Sequence, residues 1–313
     1  MRVLEYVEKF INFDPKLSKT TFSLTQTLKT TMKKHYFLVL ALAAMASVPA
    51  FGQVRAASEP VKLLESPVGL MAPVWSPDGS KIAVTTDNYT GILVADADGS
   101  NLRMLTGDAG TGYKMVWSAD SRSINARAKV SENGRILNQL RTYTLADRSM
   151  RALGPKVRAN AVAASVEATG IYSKMVSDPA TAAAEIPALA SFAGRTVINP
   201  ALSPDGSTIA FQIPGRGMWT IAADGSNLRS LGQGSHPAWL PDSRTIVYTV
   251  VEDNGQNFTG STLMSLDTAT GARATVLSSR SFIPMTPAVS PDGTKVAFEN
   301  AADAAIYTIN IEN

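Results

Sequence analysis

A twelve-residue pattern recurs five times in this chain, and no other feature limits the fold as tightly. The copies are Pro73–Val84 (PVWSPDGSKIAV), Met115–Ala126 (MVWSADSRSINA), Pro200–Phe211 (PALSPDGSTIAF), Pro237–Tyr248 (PAWLPDSRTIVY) and Pro287–Phe298 (PAVSPDGTKVAF). Each reads as a short apolar strand, a Pro-Asp-Gly or Asp-Ser turn, and a strand of alternating polarity. Proline presets the first turn dihedral, aspartate bonds its own backbone, and glycine or a small polar residue closes the turn. The alternation in Ile82/Val84, Ile209/Phe211, Ile246/Tyr248 and Val296/Phe298 has the period of two that marks a strand.

A second element follows the first. Ile92–Asp96 leads into Asp98-Gly99-Ser100-Asn101-Leu102-Arg103, and Trp219–Ala223 into Asp224-Gly225-Ser226-Asn227-Leu228-Arg229. Leu263–Leu266 and Ile306–Ile311 match the first half of this element. A full unit is therefore a four-stranded antiparallel sheet. The anchor positions Trp75, Trp117, Leu202, Trp239 and Val289 are separated by 42, 85, 37 and 50 residues. The 85 covers two periods, so a degenerate unit is expected between 150 and 190, with candidate strands at Ala161–Val166 and Ala168–Met175. Units of this length with four strands are propeller blades, not helical repeats. The expected fold is an all-β, six-bladed β-propeller. Val61–Leu64 resembles a fourth strand, and Pro287–Asn313 holds three, so the N-terminal strand is expected to complete the last blade and close the ring.

The unit resembles the WD40-like (PD40) repeats of TolB-type propellers over residues 61–313. The motif is complete at 73–84, 200–211 and 287–298, whereas Ala119-Asp120-Ser121 and Pro241-Asp242-Ser243 lack the turn glycine. The resemblance implies a periplasmic or secreted propeller that binds other proteins. It also implies differences: residues 53–60 leave no room for the α/β domain that precedes the TolB propeller, and no hydrolase domain accompanies the repeats as in prolyl-oligopeptidase-like peptidases.

The front of the chain reads as a leader. Met32-Lys33-Lys34 precedes an apolar run of eleven residues, Tyr36–Ala46, and small residues at Val48, Ala50 and Gly52 suit a signal peptidase. The run is too short for a comfortable membrane span of about 30 Å. Residues 1–31 read as an extension ahead of the true start, 32–52 as the signal peptide, and 53–313 as the propeller, with no membrane span in the mature chain. Residues 1–52 hold seven Lys/Arg and three Asp/Glu, which leaves 22 basic and 23 acidic residues in the remainder. A nearly neutral domain offers nucleic acid no electrostatic footing.

The 313 residues contain no cysteine, which excludes thiolate chemistry and a lipid-anchored N-terminus. Beyond the leader there is one histidine, His236, and there is no catalytic or phosphate-binding motif. No catalytic residue, metal site or cofactor is expected. The recurrent Asp78, Asp120, Asp205, Asp242 and Asp292 read as turn formers, and Trp75, Trp117 and Trp239 as core wedges rather than a sugar platform. His236, at the entrance to an inner strand, reads either as a cap on the channel or as a ligand contact. The connections Lys129–Gln139 and Glu252–Ser261 are longer than their counterparts, and Gly215–Met218 is the short version. They either extend two hairpins or rim a binding surface. The expected binding face thus carries Glu132, Arg135, Arg216, His236, Asp253 and Phe258. The leading partner is an envelope or secreted protein met by a monomer. The alternative is a glycan, bound or turned over by a lyase or glycosidase.

Overall fold

The computed structural model describes residues 53–158 and 170–312. Two short strands open it, β1 (Arg55–Ala56) and β2 (Val61–Leu64). The first sheet follows: β3 (Met71–Trp75), β4 (Lys81–Thr86), β5 (Thr90–Asp96) and β6 (Arg103–Thr106). The second contains β7 (Val116–Trp117), β8 (Ser123–Glu132), β9 (Arg135–Thr144) and β10 (Met150–Ala152). A helical segment then intervenes, with α1 (Gly170–Ser177), α2 (Ala182–Glu185) and a 3₁₀ turn at Pro187–Phe192. The third sheet is β11 (Ile198–Leu202), β12 (Thr208–Ile213), β13 (Gly217–Ala222) and β14 (Arg229–Gly232). The fourth is β15 (Ser235–Trp239), β16 (Thr245–Asp253), β17 (Phe258–Asp267) and β18 (Arg273–Ser278). In the last sheet β19 (Pro284–Val289), β20 (Lys295–Asn300) and β21 (Ala305–Glu312) are joined by β1 and β2, both paired antiparallel with β21.

The architecture is a β-propeller of antiparallel, four-stranded blades, and the N-terminal strand completes the last one. The blade count differs from the expectation: the described residues form five blades, not six. Candidate strand Ala161–Val166 lies outside the described residues, and Ala168–Met175 runs into α1 instead of forming a strand. Two local causes are visible. Ile171/Met175 and Tyr172/Val176 are spaced four apart, and Ala182–Ala184 are strong helix formers, so this stretch favours a helix. The second cause lies in the preceding sheet. Ala83, Ala210, Val247 and Ala297 sit at equivalent places on the second strands, buried against the following blade. The second sheet has Asn125 there, bonded to Thr142 (Thr142 Oγ1 to Asn125 Oδ1, 2.6 Å). A polar pair at that place reduces the apolar surface offered to the next unit.

Apolar residues of the helical segment cover the third sheet instead. Met175, Ala182, Ala183, Ile186, Leu189, Phe192 and Val197 form one cluster with Ile209, Phe211, Ile213 and Ile221. Elsewhere the blades pack directly on one another, and tryptophans fasten them. Trp117 Nε1 donates to the Val74 carbonyl (3.1 Å), Trp239 Nε1 to Ala201 (2.9 Å) and Trp75 Nε1 to Ala288 (3.2 Å). All three rings are buried, in keeping with a wedge and not a sugar platform. At the third anchor stands Leu202, 37% exposed.

The aspartates form turns. Ser76, Ser118, Ser203 and Ser290 each donate Oγ to the aspartate two residues on, at 2.6 Å. In the fourth sheet Leu240 replaces that serine, and Thr245 Oγ1 donates to Asp242 at 2.7 Å. The two turns without glycine carry serine at the same left-handed backbone position, Ser121 (φ 60°) and Ser243 (φ 55°). Their hydroxyls accept from the backbone N–H of Asp78 and Asp205 in the preceding sheets.

Candidate ligand pocket at the centre of the propeller

Each first strand enters the centre of the propeller through one residue, three positions before the anchor. These residues are Ala72, Lys114, Asn199, His236 and Thr286, and all five have positive φ, from 44° to 54°. Four of them precede a proline, which biases its neighbour towards extended backbone, and Thr286 is β-branched. Such conformations cost about 1–3 kcal/mol each and persist only where surrounding structure enforces them. Here the enforcement is a register shift: the ladders skip Ala72–Pro73, Asn199–Pro200, His236–Pro237 and Thr286–Pro287. A bulge of this kind re-aims a side chain.

The five residues line one pocket of about 320 Å³, together with Tyr89, Tyr113 and, from α1, Tyr172 and Val176. Two glycines make the approach possible. A β-carbon on Gly112 would lie 1.9 Å from Thr85 Oγ1, and one on Gly234 2.5 Å from the Tyr248 ring. Each stands two residues before a pocket residue, Lys114 or His236. The Gly112 loop is held from its other end by Asp108, whose carboxylate accepts from Arg141 Nη1 (2.7 Å) and Tyr143 Oη (2.6 Å).

The pocket is basic and aromatic on one side. Tyr113 meets Tyr89 edge-on at 5.1 Å, and the Arg127 guanidinium lies over the Tyr113 ring at 5.0 Å. Burial, reinforced by Arg127, brings the Lys114 ammonium down to a pKa of about 8. Burial and then the Lys114 charge lower His236, whose Nδ1 is buried without a hydrogen-bond partner. Among the described residues no aspartate or glutamate lines the pocket. Glu299 stands behind it, accepting from Thr286 Oγ1 at 3.2 Å, and burial raises its pKa. Among the described residues no cluster of His, Asp and Glu is arranged to hold a metal ion.

Of the six residues expected at the binding face, only His236 lines this pocket. Glu132 and Arg135 pair across the tip of the β8–β9 hairpin, and Glu132 is bound by Lys156. Asp253 and Phe258 pair at the tip of β16–β17, where Asp253 accepts from the Gly255 N–H, and Phe258 is exposed. Arg216 is exposed on the β12–β13 turn, its carbonyl accepting from Trp219 Nε1. Both long connections are thus paired strands almost to their tips. The ring of left-handed residues escaped the sequence reading because its side chains share no chemistry. Their shared signal is position alone, three residues before each anchor.

No family model matches the chain. Nor does any curated protein. Solved structures do match. TolB from Acinetobacter baumannii aligns at 15% identity with a TM-score of 0.37, over 81% of this chain and 57% of that one. The tricorn protease aligns at 12% identity and 0.34, over 79% of this chain and 25% of that one. Oligogalacturonate lyase from Vibrio parahaemolyticus aligns at 13% identity and 0.33, over 80% of each chain. The chain spans little more than half of the TolB chain with which it aligns.

Proposed function

We propose that this chain is an exported, non-catalytic propeller whose central pocket binds a segment of an envelope or secreted protein. The observation that carries the reading is the ring of five left-handed residues, each three positions before an anchor, around a single pocket. The repeat supplies one backbone geometry, and the unlike side chains Ala, Lys, Asn, His and Thr supply a specific surface. No helix among the described residues is long and apolar enough to cross a membrane, and export rests on the leader at 32–52.

The test is retention of envelope proteins by the chain beside a Val176→Trp variant, which fills the pocket from α1. A protein kept by the first and lost by the second supports the reading. Equal retention by both removes the pocket from the binding face. Export is checked by the N-terminal residue of the chain made with its own leader: Gln53 supports it, an intact Met1 or Met32 refutes it. A glycan is the second reading, favoured by the three tyrosines, and appears as sugar binding that Val176→Trp abolishes.

A further inference from the structure

We infer that the ligand presents a carboxylate, carried on a peptide, to Lys114 and His236. This rests on the protein-binding reading above and adds the chemistry of recognition.

Lys114 is half-buried in the pocket wall and makes no ion pair among the described residues. Its backbone is left-handed, and its ammonium lies over the Tyr113 ring at 5.8 Å with no carboxylate beside it. Beside it the buried Nδ1 of His236 has no hydrogen-bond partner. Buried polar groups normally find partners, and exceptions call for a missing one. Arg127 adds a second fixed positive charge on the same side, stacked over Tyr113. The acidic groups stand apart: Glu299 behind Ala72 and Thr286, with Asp87 near it.

An anion entering the pocket therefore meets Lys114 and His236, and among the described residues no lining carboxylate repels it. A carboxylate suits this set, since it accepts from an ammonium and an imidazole N–H at once, in a charge-assisted pair. Tyr89, Tyr113 and Tyr172 then give the adjoining residues flat apolar surface. A pocket of about 320 Å³ accommodates a side chain with its neighbours, or a chain terminus. A side-chain carboxylate and a C-terminal one share this chemistry.

The experiment is fluorescence anisotropy of labelled alanine peptides with the full chain. The probes are a capped, amidated peptide with a central glutamate, its glutamine counterpart, and an uncharged peptide with a free C-terminal carboxylate. The glutamate or free-acid peptide should bind at least about tenfold more tightly than the glutamine peptide. Lys114→Gln should erase that difference, and Lys114→Arg should keep part of it, with circular dichroism showing both variants folded. Which acidic peptide wins identifies the source of the carboxylate. If neither acidic peptide binds more tightly than the glutamine peptide, the inference is overturned and the protein-binding reading is left standing. Lys114-dependent binding of a uronic-acid oligosaccharide, with neither acidic peptide bound, overturns both.

Discussion

The indole Nε1 of Trp75 donates to the carbonyl oxygen of Ala288, 3.2 Å away and 213 residues on, and so fastens the first sheet to the last. The same bond links Trp117 to Val74 and Trp239 to Ala201 between sheets that are consecutive in sequence. Trp75→Phe should cost about 1–3 kcal/mol, because it leaves the Ala288 carbonyl unpaired in a buried setting. Trp75→Ala should cost about 3–5 kcal/mol through the cavity it adds. Urea denaturation of both variants beside Trp239→Phe checks this. A Trp75→Phe variant as stable as the parent would remove the bond from the account of closure.

Ser121 tests whether the turns without glycine are fastened on purpose. It is left-handed, and its hydroxyl accepts from the Asp78 N–H at 3.1 Å. Ser121→Ala keeps the strain and loses the bond, and should cost about 1 kcal/mol. Ser121→Gly also loses the bond but relieves about 1–2 kcal/mol of left-handed strain, and should be close to neutral. Thermal melts that rank glycine below alanine would contradict this.

Gly112 should tolerate no side chain. A β-carbon there collides with Thr85, a buried residue whose own hydroxyl bonds the Gly91 carbonyl at 2.7 Å. Gly112→Ala should destabilise by about 1–3 kcal/mol as an overpacked site and displace Tyr113 and Lys114 from the pocket. Ligand affinity should therefore fall further than for Gly134→Ala at the β8–β9 tip, where nothing lies near an added carbon. Comparable affinities in the two variants would disprove the placement.

Lys114 sets a pH window. Its ammonium titrates near 8 when folded and near the ordinary value of 10.5 when unfolded. The unfolded chain then binds more protons between those values, so this residue's contribution to stability rises with pH from about 8 to about 10.5. Measured as the difference between the parent and Lys114→Gln, stability should climb over that range while affinity for an acidic peptide falls. A pH-independent difference would show that Lys114 titrates normally.

The turn carboxylates act at the other end of the scale. Hydrogen bonds from Ser76 and Ser80 hold Asp78 at a pKa of about 2, and Ser118, Ser203 and Ser290 lower Asp120, Asp205 and Asp292 in the same way. The stability they contribute is present above the ordinary value of 3.8 and is lost as pH falls towards 2. Carboxyl carbon shifts followed by NMR should show all four titrating below the unfolded range. A normal midpoint at Asp78 would contradict the turn geometry.

The repeat alone determined the strands, the turns, the four-stranded blade and the closure of the last sheet by Val61–Leu64, since all of these follow from local periodicity and turn chemistry. It also held a clue to the missing blade: Asn125 stands where the other units have Ala83, Ala210, Val247 and Ala297. Spacing was the weaker guide there, because 85 residues hold two strand units or one unit and a helical segment equally well. Only the tertiary structure brought Ala72, Lys114, Asn199, His236 and Thr286 around one pocket with Tyr172 of α1. These residues lie far apart in sequence and differ in chemistry. Their common property is a left-handed backbone enforced by the neighbouring strands, and a conformation imposed from outside a segment leaves no mark in its composition.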